Sequence, residues 1–465
     1  MLCESDEIDV VTPGTRAFTP LHVLVATAAL GLGRTSAGIG TSKFAAALTK
    51  AGHRVSCLTN DESLGEHGSS FALPWLPGVD VHHVNATPWS GRWELLARTR
   101  ERLSASRPGA RVCRRMKAAF AYGTGHSSEV WCRVDRWMQA MQETVTRLRP
   151  DVIFVRGAGG CFDPHMALLR WTPPVPWVAN YHDPYPQSLY PEPYRNRVRL
   201  VSRQQETIHR RILAAADALT FPSARLLDWV LDAEPRAYRE KAFVVPHIAS
   251  ELRAQGSADL PASQAVPPSK PFSIVHAGTL LGPRDPRGLL RGFYDFVQSD
   301  PEKRANAQLV FVGSINRTHL EYPEWELLQQ GGNLVRLDQR VGYARAVAIT
   351  RSAVSLVIME ADCVESPFFP GKLADYLCLE KPILALSPKL SATADLLGPD
   401  YPLRLKPDDS RSIAAALDLL WTHWKNGSMR HLVPPEAVRV GVSAGTVAAR
   451  AADAFAFARN ARSLR

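Results

Sequence analysis

The chain has 465 residues, of which 45% are apolar, and a formal net charge of +10 at pH 7; it is long enough for two domains with separate cores, and its charge indicates an acidic partner such as nucleotide phosphates, nucleic acid or an anionic membrane. No run of 18 apolar residues occurs and the start MLCESDEIDV is acidic, so we expect neither a membrane-spanning helix nor a secretory signal. The seven scattered cysteines form no CxxC pair, which excludes a disulfide framework and a structural metal site and indicates a cytoplasmic location.

The first half of the chain alternates predicted strands and helices. Residues 1–20 are predicted to be a leader and residues 21–249 an α/β domain. The first strand, Leu21–Ala28, runs into a glycine-rich segment that contains Gly38 and Gly40 and leads into a helix. Such a loop between a strand and a helix lets a ligand approach the backbone closely. The glycines do not fit GxGxxG, so a nicotinamide dinucleotide is not specifically indicated, and a turn-forming role explains any one of them equally well.

A basic stretch interrupts this alternation at residues 92–117. It carries nine Arg or Lys against two Glu, with apolar side chains between them. One interpretation is a basic amphipathic helix that lies on an anionic membrane surface. An equally weighted alternative is a solvated helical hairpin broken at Pro108-Gly109. Nucleic acid is the weakest alternative, because aromatic residues for base stacking are scarce in this stretch.

A histidine stands at the end of a later strand in the same domain. The segments Val152–Val155 and Pro176–Asn180 are predicted strands, and His182 follows the second of them in the sequence Tyr-His-Asp-Pro. Ligands of open α/β sheets bind at the carboxyl ends of the strands. His182 is therefore a candidate site residue, although a single histidine is more often structural.

The composition changes abruptly at residues 250–271, which are rich in Ser, Ala, Pro and Gly and are predicted to be a linker. Strands and helices alternate again over residues 272–440, and residues 441–465 are predicted to form a helix that packs back on the first domain. The predicted fold class is α/β, with two Rossmann-like domains facing across a cleft.

The segment ESPFFPGKLADYLCLEKPILALSP, residues 365–388, is predicted to be a loop, a helix and a buried strand. Gly371 and Lys372 stand at the helix start, where free backbone N–H groups favour an anion. Asp375 follows three residues later on the same face, where a carboxylate suits the hydroxyls of a ribose. An ordinary αβ unit with a solvated Lys and Asp explains the spacing equally well.

These segments resemble a known family. The second half of the chain resembles the nucleotide-sugar domain of family-4 retaining glycosyltransferases in the segments HAGTLLGPRDPRGLL, LVFVGS and SPFFPGKLADYLCLEKPILALSP. The first half is similar to the same family in AGHRVSCLT, RPDVIFVRG, YHDP and ADALTFPS. The resemblance spans about 20–455 and is strongest over 273–390. It implies the GT-B fold, in which two Rossmann-like domains enclose the active site.

The resemblance also implies a donor-binding site in the second half. Arg284, in the loop that begins with Gly278 and Thr279, matches a basic residue that holds the donor diphosphate, and Lys372 shares this role. Thr279 stands where many members have a second basic residue. Asp375 matches the second acid of the family's paired motif, which binds the ribose.

Two further matches and one departure concern the rest of the site. His182 matches a histidine that lies against the donor sugar, and Gly38 and Gly40 match the glycine loop near the diphosphate. The first acid of the paired motif is missing at Pro367, and either Glu365 or Asp362 is a candidate for its place.

From the resemblance we expect a retaining glycosyltransferase of the hexosyltransferase type. It would move a sugar from a UDP- or GDP-sugar to a glycan or lipid-linked acceptor, in cell-surface or exopolysaccharide synthesis. The expected catalytic residues are His182, Arg284 and Lys372, with no cofactor and no metal required. We expect the chain in the cytoplasm, peripheral on the inner membrane leaflet through 92–117. The alternatives are a catalytically silent GT-B scaffold, a nucleic-acid-binding protein, and a GT-B nucleotide-sugar epimerase, which would carry more acids and histidines near its cleft.

Overall fold

The computed structural model describes residues 19–32, 35–61, 64, 71–73, 75–84, 92–195, 199–249, 268–338 and 341–464. Residues 1–18 of the predicted leader and residues 250–267 of the predicted linker lie outside this part of the chain. The strands are β1 His22–Thr27, β2 Arg54–Thr59, β3 Phe71–Leu73, β4 Leu76–His83, β5 Val152–Arg156, β6 Trp177–Asn180, β7 Ala218–Phe221, β8 Ala242–Val244, β9 Phe272–Ala277, β10 Ala307–Val312, β11 Leu334–Leu337, β12 Ser355–Met359, β13 Glu365–Ser366, β14 Ile383–Leu386, β15 Leu390–Ser391 and β16 Arg404–Leu405.

The helices that accompany these strands are α1 Ser36–Lys50, α2 Arg92–Ser104, α3 Arg107–Thr124, α4 Ser128–Leu148, α5 Asp163–Leu168, α6 Arg199–Ala215, α7 Ala224–Leu231, α8 Arg287–Gln298, α9 Pro301–Asn306, α10 Pro323–Gln330, α11 Tyr343–Ser352, α12 Gly371–Cys378, α13 Ala392–Leu397, α14 Ser410–Lys425, α15 Glu436–Gly441 and α16 Ala444–Ser463.

Two sheets organise the chain. The first has the strand order β3-β4-β2-β1-β5-β6-β7-β8, and its neighbours are parallel except β3, which is antiparallel to β4. The second has the order β11-β10-β9-β12-β14-β16 and is parallel throughout. Central strands such as β1 and β9 are buried along their whole length, as expected for parallel sheets with helices on both faces. The predicted fold class of two Rossmann-like domains is confirmed.

Separate cores support the two sheets. In the second domain, aromatic side chains such as Phe272 and Trp421 join the sheet to α8 and α14, with ring centroids 5.1 Å apart. The first domain has one apolar cluster on each face of its sheet. The last helix, α16, lies on one of these faces, where Phe455 contacts Phe154 of β5 at a centroid distance of 5.8 Å. An Arg462 side-chain N–H also donates to the Pro173 carbonyl at 2.7 Å.

The strand order reverses at one place in each sheet. In the first sheet β1 lies between β2 and β5, and in the second sheet β9 lies between β10 and β12. Loops that leave the carboxyl ends of two such strands go to opposite faces and leave a crevice between them, where ligands of open α/β sheets bind. The crevices therefore begin at the segments that follow β1, β5, β9 and β12.

Two local predictions were wrong in detail. The basic stretch does form two helices, but the break lies before Ser106, which caps α3, and Pro108-Gly109 belongs to the first turn of α3. Proline is tolerated there because the first N–H groups of a helix have no intrahelical partner. Gly38 and Gly40 likewise lie within the first turns of α1, capped by Thr35, and not in a loop.

Candidate functional site

A tight turn after β9 forms the floor of the crevice in the second domain. Gly278 has φ +153°, and a Cβ at this residue would overlap the ammonium group of Lys372. Lys372 comes from the first turn of α12, whose N-cap residue, Pro370, makes no side-chain capping bond. The absence of a side chain at Gly278 therefore lets the lysine of one element lie directly on the backbone of another.

A second cation lies near Lys372. The Nε of Arg284 donates to the Tyr194 hydroxyl of the first domain at 3.3 Å. Burial lowers the pKa of Lys372 to about 8, and the Arg284 charge lowers it as well, whereas Asp375 acts in the opposite direction. In the described part of the chain no carboxylate lies within ion-pair distance of Arg284 or Lys372. Two cations that share a crevice without such a partner form a favourable site for a diphosphate.

Replacing Gly278 by alanine should displace the Lys372 amine and lower the affinity for UDP or GDP at least tenfold, because the new methyl group occupies its position and the left-handed backbone is strained. Gly445→Ala on α16 is the matched control, since nothing lies within 4 Å of its Cβ position and it lies outside the donor-binding residues. Calorimetric titration of both variants measures the effect. Equal affinities in the two variants would contradict this arrangement.

Asp375 lies opposite the first domain. Its carboxylate pairs with the ammonium of Lys43, a residue of α1 that is 3% exposed, and 32% of the Asp375 side chain remains exposed. Burial lowers the pKa of Lys43, but Asp375 and Tyr343 raise it more, so the net shift is upward. A ribose that binds Asp375 would share this carboxylate with Lys43.

Neither Glu365 nor Asp362 directly takes the place of the first acid that is missing from the paired motif. Glu365 pairs with Arg225 of α7, whose guanidinium also holds Asp395 at 2.6 and 2.8 Å. Asp362 is exposed. Glu365 is therefore committed to a second ion pair between the two domains.

Sequence reasoning missed Glu360, which follows β12 directly at the point where the strand order reverses. Its buried carboxylate accepts hydrogen bonds from Ser366 and Thr393. Burial raises the pKa of Glu360, while the two hydroxyls and the charge of Arg284 act against this increase. The available signal was an acid directly after a buried strand. His182 was selected by the same rule, that ligands bind at the carboxyl ends of strands.

His182 lies on the first-domain side of the cleft. Its ring centroid is 4.7 Å from that of His247, which in turn stacks on Phe369 of the second domain at 5.1 Å. Burial lowers the pKa of His182, and the Arg156 charge lowers it as well, against an opposing effect of Asp183. A neutral imidazole in this place can exchange hydrogen bonds with a sugar hydroxyl.

Most of the predicted donor-binding residues of the second domain lie close together. Gly278, Arg284, Gly371 and Lys372 lie together around the β9 turn and the start of α12. Thr279 is exposed. Among the described residues no group of three or more His, Cys, Asp or Glu could hold a metal ion, and no helix is long and apolar enough to cross a membrane.

Comparison with protein families shows which class of enzyme this chain resembles. Residues 37–247 match the model of the glycosyl transferase 4-like domain. The chain is a glycosyltransferase whose residues 37–247 form a glycosyl transferase 4-like domain. The sequence resemblance to that family is thereby confirmed, and no curated protein matches the sequence.

Solved structures share the fold of this glycosyltransferase. A glycosyltransferase from Rickettsia africae has 11% identity and a TM-score of 0.56, covering 95% of this chain and 99% of its own. HepE from Anabaena in complex with UDP has 12% identity and a TM-score of 0.56, with coverages of 94% and 100%. The α,α-trehalose 6-phosphate synthase from Burkholderia multivorans has 14% identity and a TM-score of 0.57, with coverages of 96% and 98%. The architecture is therefore GT-B.

Proposed function

We propose that this glycosyltransferase is a retaining enzyme that transfers a hexose from UDP- or GDP-sugar to a glycan or lipid-linked acceptor, in cell-surface or exopolysaccharide synthesis. The observation that carries the proposal is the pair of cations, Arg284 and Lys372, beside the Gly278 turn at the strand-order reversal of the second sheet. That HepE was crystallised with UDP, and in another crystal with UDP and glucose, supports a uridine nucleotide.

The chemistry follows from the charges. Transfer breaks the bond between the anomeric carbon and the diphosphate oxygen and forms a bond from that carbon to the acceptor oxygen. Negative charge develops on the leaving diphosphate, and cations already aimed at it stabilise the transition state. In a retaining reaction without a carboxylate nucleophile, the acceptor attacks from the face that the diphosphate leaves, and its proton goes to a diphosphate oxygen. We assign His182 to a hydroxyl of the transferred sugar, and we expect no metal to be required.

Binding of nucleotides tests the proposal. UDP or GDP at 100 times its dissociation constant should raise the free energy of unfolding by about 2.7 kcal/mol. Thermal unfolding with UDP, GDP, ADP and a short oligonucleotide measures the preference. Stabilisation by the oligonucleotide alone would favour the nucleic-acid-binding alternative and overturn the proposed donor.

The basic helices α2 and α3 support a peripheral membrane location. Apolar side chains stand exposed beside exposed arginines on these helices: Leu95, Leu103, Val112, Met116 and Tyr122. On α3, Val112 and Met116 lie one turn apart and next to Arg111 and Arg115, so one surface combines apolar and cationic groups. Such a surface suits the headgroup region of an anionic bilayer.

The double variant Arg111→Glu/Arg115→Glu should release the protein from vesicles that contain phosphatidylserine, because each basic residue near the surface contributes about 1 kcal/mol. The matched control is Arg450→Glu/Arg459→Glu on α16, which makes the same change in charge at two exposed positions. Co-sedimentation with the vesicles measures binding. Retention of the α3 variant at the level of the control would refute the membrane role.

A further inference from the structure

A buried arginine at the end of β5 makes no hydrogen bond or ion pair with its side chain in the part of the chain that the structure describes. Arg156 is only 6% exposed, and its Nε is enclosed without a hydrogen-bond acceptor. Among the described residues no carboxylate forms an ion pair with its guanidinium. Burial lowers the pKa of Arg156 to about 10, so the side chain is still charged at pH 7. A buried charge without a partner is strongly destabilising and calls for a compensating anion.

The surroundings hold this cation in place. A terminal nitrogen of Arg156 lies 3.0 Å from the position that a Cβ of Gly40 would take, so the glycine allows close approach to α1. The guanidinium carbon lies 5.6 Å from the centre of the Phe44 ring, which supports one face. Arg156 also stands at the strand-order reversal between β1 and β5, where the first sheet has its crevice.

Two imidazoles lie close enough to Arg156 to be affected by its charge. Its charge lowers the pKa of both His182 and His247, after burial, and Lys43 acts on His247 in the same direction. Asp183 acts on the pKa of His182 in the opposite direction. The site is thus a positively charged enclosure in the first domain, on the side of the cleft where His247 meets Phe369.

We propose that Arg156 binds a carboxylate or phosphate that a substrate carries in addition to the donor diphosphate. The substrate class is then an acidic sugar: a uronic acid in the donor or a phosphorylated acceptor. This inference rests on the proposed transferase function, because it assumes that the diphosphate binds to Arg284 and Lys372 of the second domain. Arg156 lies in the first domain, at the strand-order reversal between β1 and β5 of the first sheet. It is therefore separate from the two cations of the second domain and can bind a second anion.

Paired ligands test the inference and separate the two sources of the anion. Calorimetric titration compares the affinity of the free protein for UDP-glucose with its affinity for UDP-glucuronic acid. A second titration compares the affinity of the UDP complex for glucose with its affinity for glucose 6-phosphate. We expect the acidic member of one pair to bind wild-type protein at least tenfold more tightly. Arg156→Gln should abolish that preference and keep the affinity for UDP, and Arg156→Lys should retain part of the preference. The pair that shows the preference identifies the donor or the acceptor as the source.

Stability supplies an independent readout. Because Arg156→Met removes an unpaired buried charge and keeps an apolar stem, the unfolding midpoint of the ligand-free variant should equal or exceed that of the wild type. A lower midpoint would assign Arg156 a structural role and overturn the inference. The inference would also be overturned if the wild-type protein bound UDP but preferred neither acidic ligand. Loss of UDP affinity in the Arg156→Gln variant would overturn it as well. Failure of wild-type protein to bind UDP or GDP would instead refute the proposed function.

Discussion

Replacing Lys372 by methionine is expected to lower the turnover number about 10²–10³-fold, the usual effect of removing one preorganised donor to a developing negative charge. The ammonium lies on the Gly278 turn in a buried position, where its interaction with a diphosphate is weakly screened. Methionine keeps an unbranched side chain of similar bulk and removes the ammonium group. Steady-state assay of sugar transfer, or of donor hydrolysis, measures the loss.

The control for this variant is Lys389→Met, which removes an exposed lysine from the same domain and should leave turnover unchanged. A pH series adds a second test. The pKa of Lys372 is lowered to about 8, so the ammonium is present below that pH and lost above it. The affinity of the wild type for UDP should therefore fall between pH 7 and pH 9, and that of Lys372→Met should not. Equal turnover in the two methionine variants would exclude Lys372 from the chemistry.

Replacing Phe455 by alanine is expected to lower the free energy of unfolding by about 3–5 kcal/mol, as is typical of buried Phe→Ala changes. Phe455 is fully buried and anchors α16 to the first sheet through Phe154 and His53, with ring centroids 5.8 and 6.5 Å away. The cavity left by the ring cannot close easily, because the sheet beneath it is a parallel sheet covered on both faces.

Phe457 provides the control for this experiment on the same helix. Its ring is 36% exposed and contacts Phe243 at 5.4 Å, so Phe457→Ala should cost much less than Phe455→Ala. Urea denaturation of both variants measures the difference in their free energies of unfolding. Equal dependence of this free energy on urea concentration would show that both variants expose the same surface on unfolding. Similar losses for the two variants would mean that α16 is not anchored through Phe455.

The two-domain architecture could be predicted from the sequence because parallel strands are buried on both faces and appear as short apolar runs between helices. β1 and β9 are examples of such runs. Helix boundaries were harder to predict where glycine or proline stands near a start. Pro108 and Gly38 suggested a break and a loop, yet both lie in first turns, where the cost of these residues is small.

The candidate site could be predicted only in part. The position of Lys372 against Gly278 depends on two segments that are adjacent in the sheet and distant in the chain, and spacing within either segment does not reveal it. The ion pairs Lys43–Asp375 and Arg225–Glu365 join different domains and have no local signal at all. Arg156 was hidden for a different reason: a buried arginine normally pairs with a carboxylate, and only the folded structure shows that, among the described residues, this one does not.

The return of α16 to the first domain means that the chain crosses between the two domains twice. The chain leaves the first domain after Ala249 and re-enters it near Val442, and these crossings lie side by side, with the Ala249 N–H donating to the Val442 carbonyl at 2.8 Å. Separation of the two domains would break the ion pairs Lys43–Asp375 and Arg225–Glu365, which join them. We therefore expect salt to ease the release of nucleotide as well as weaken its binding.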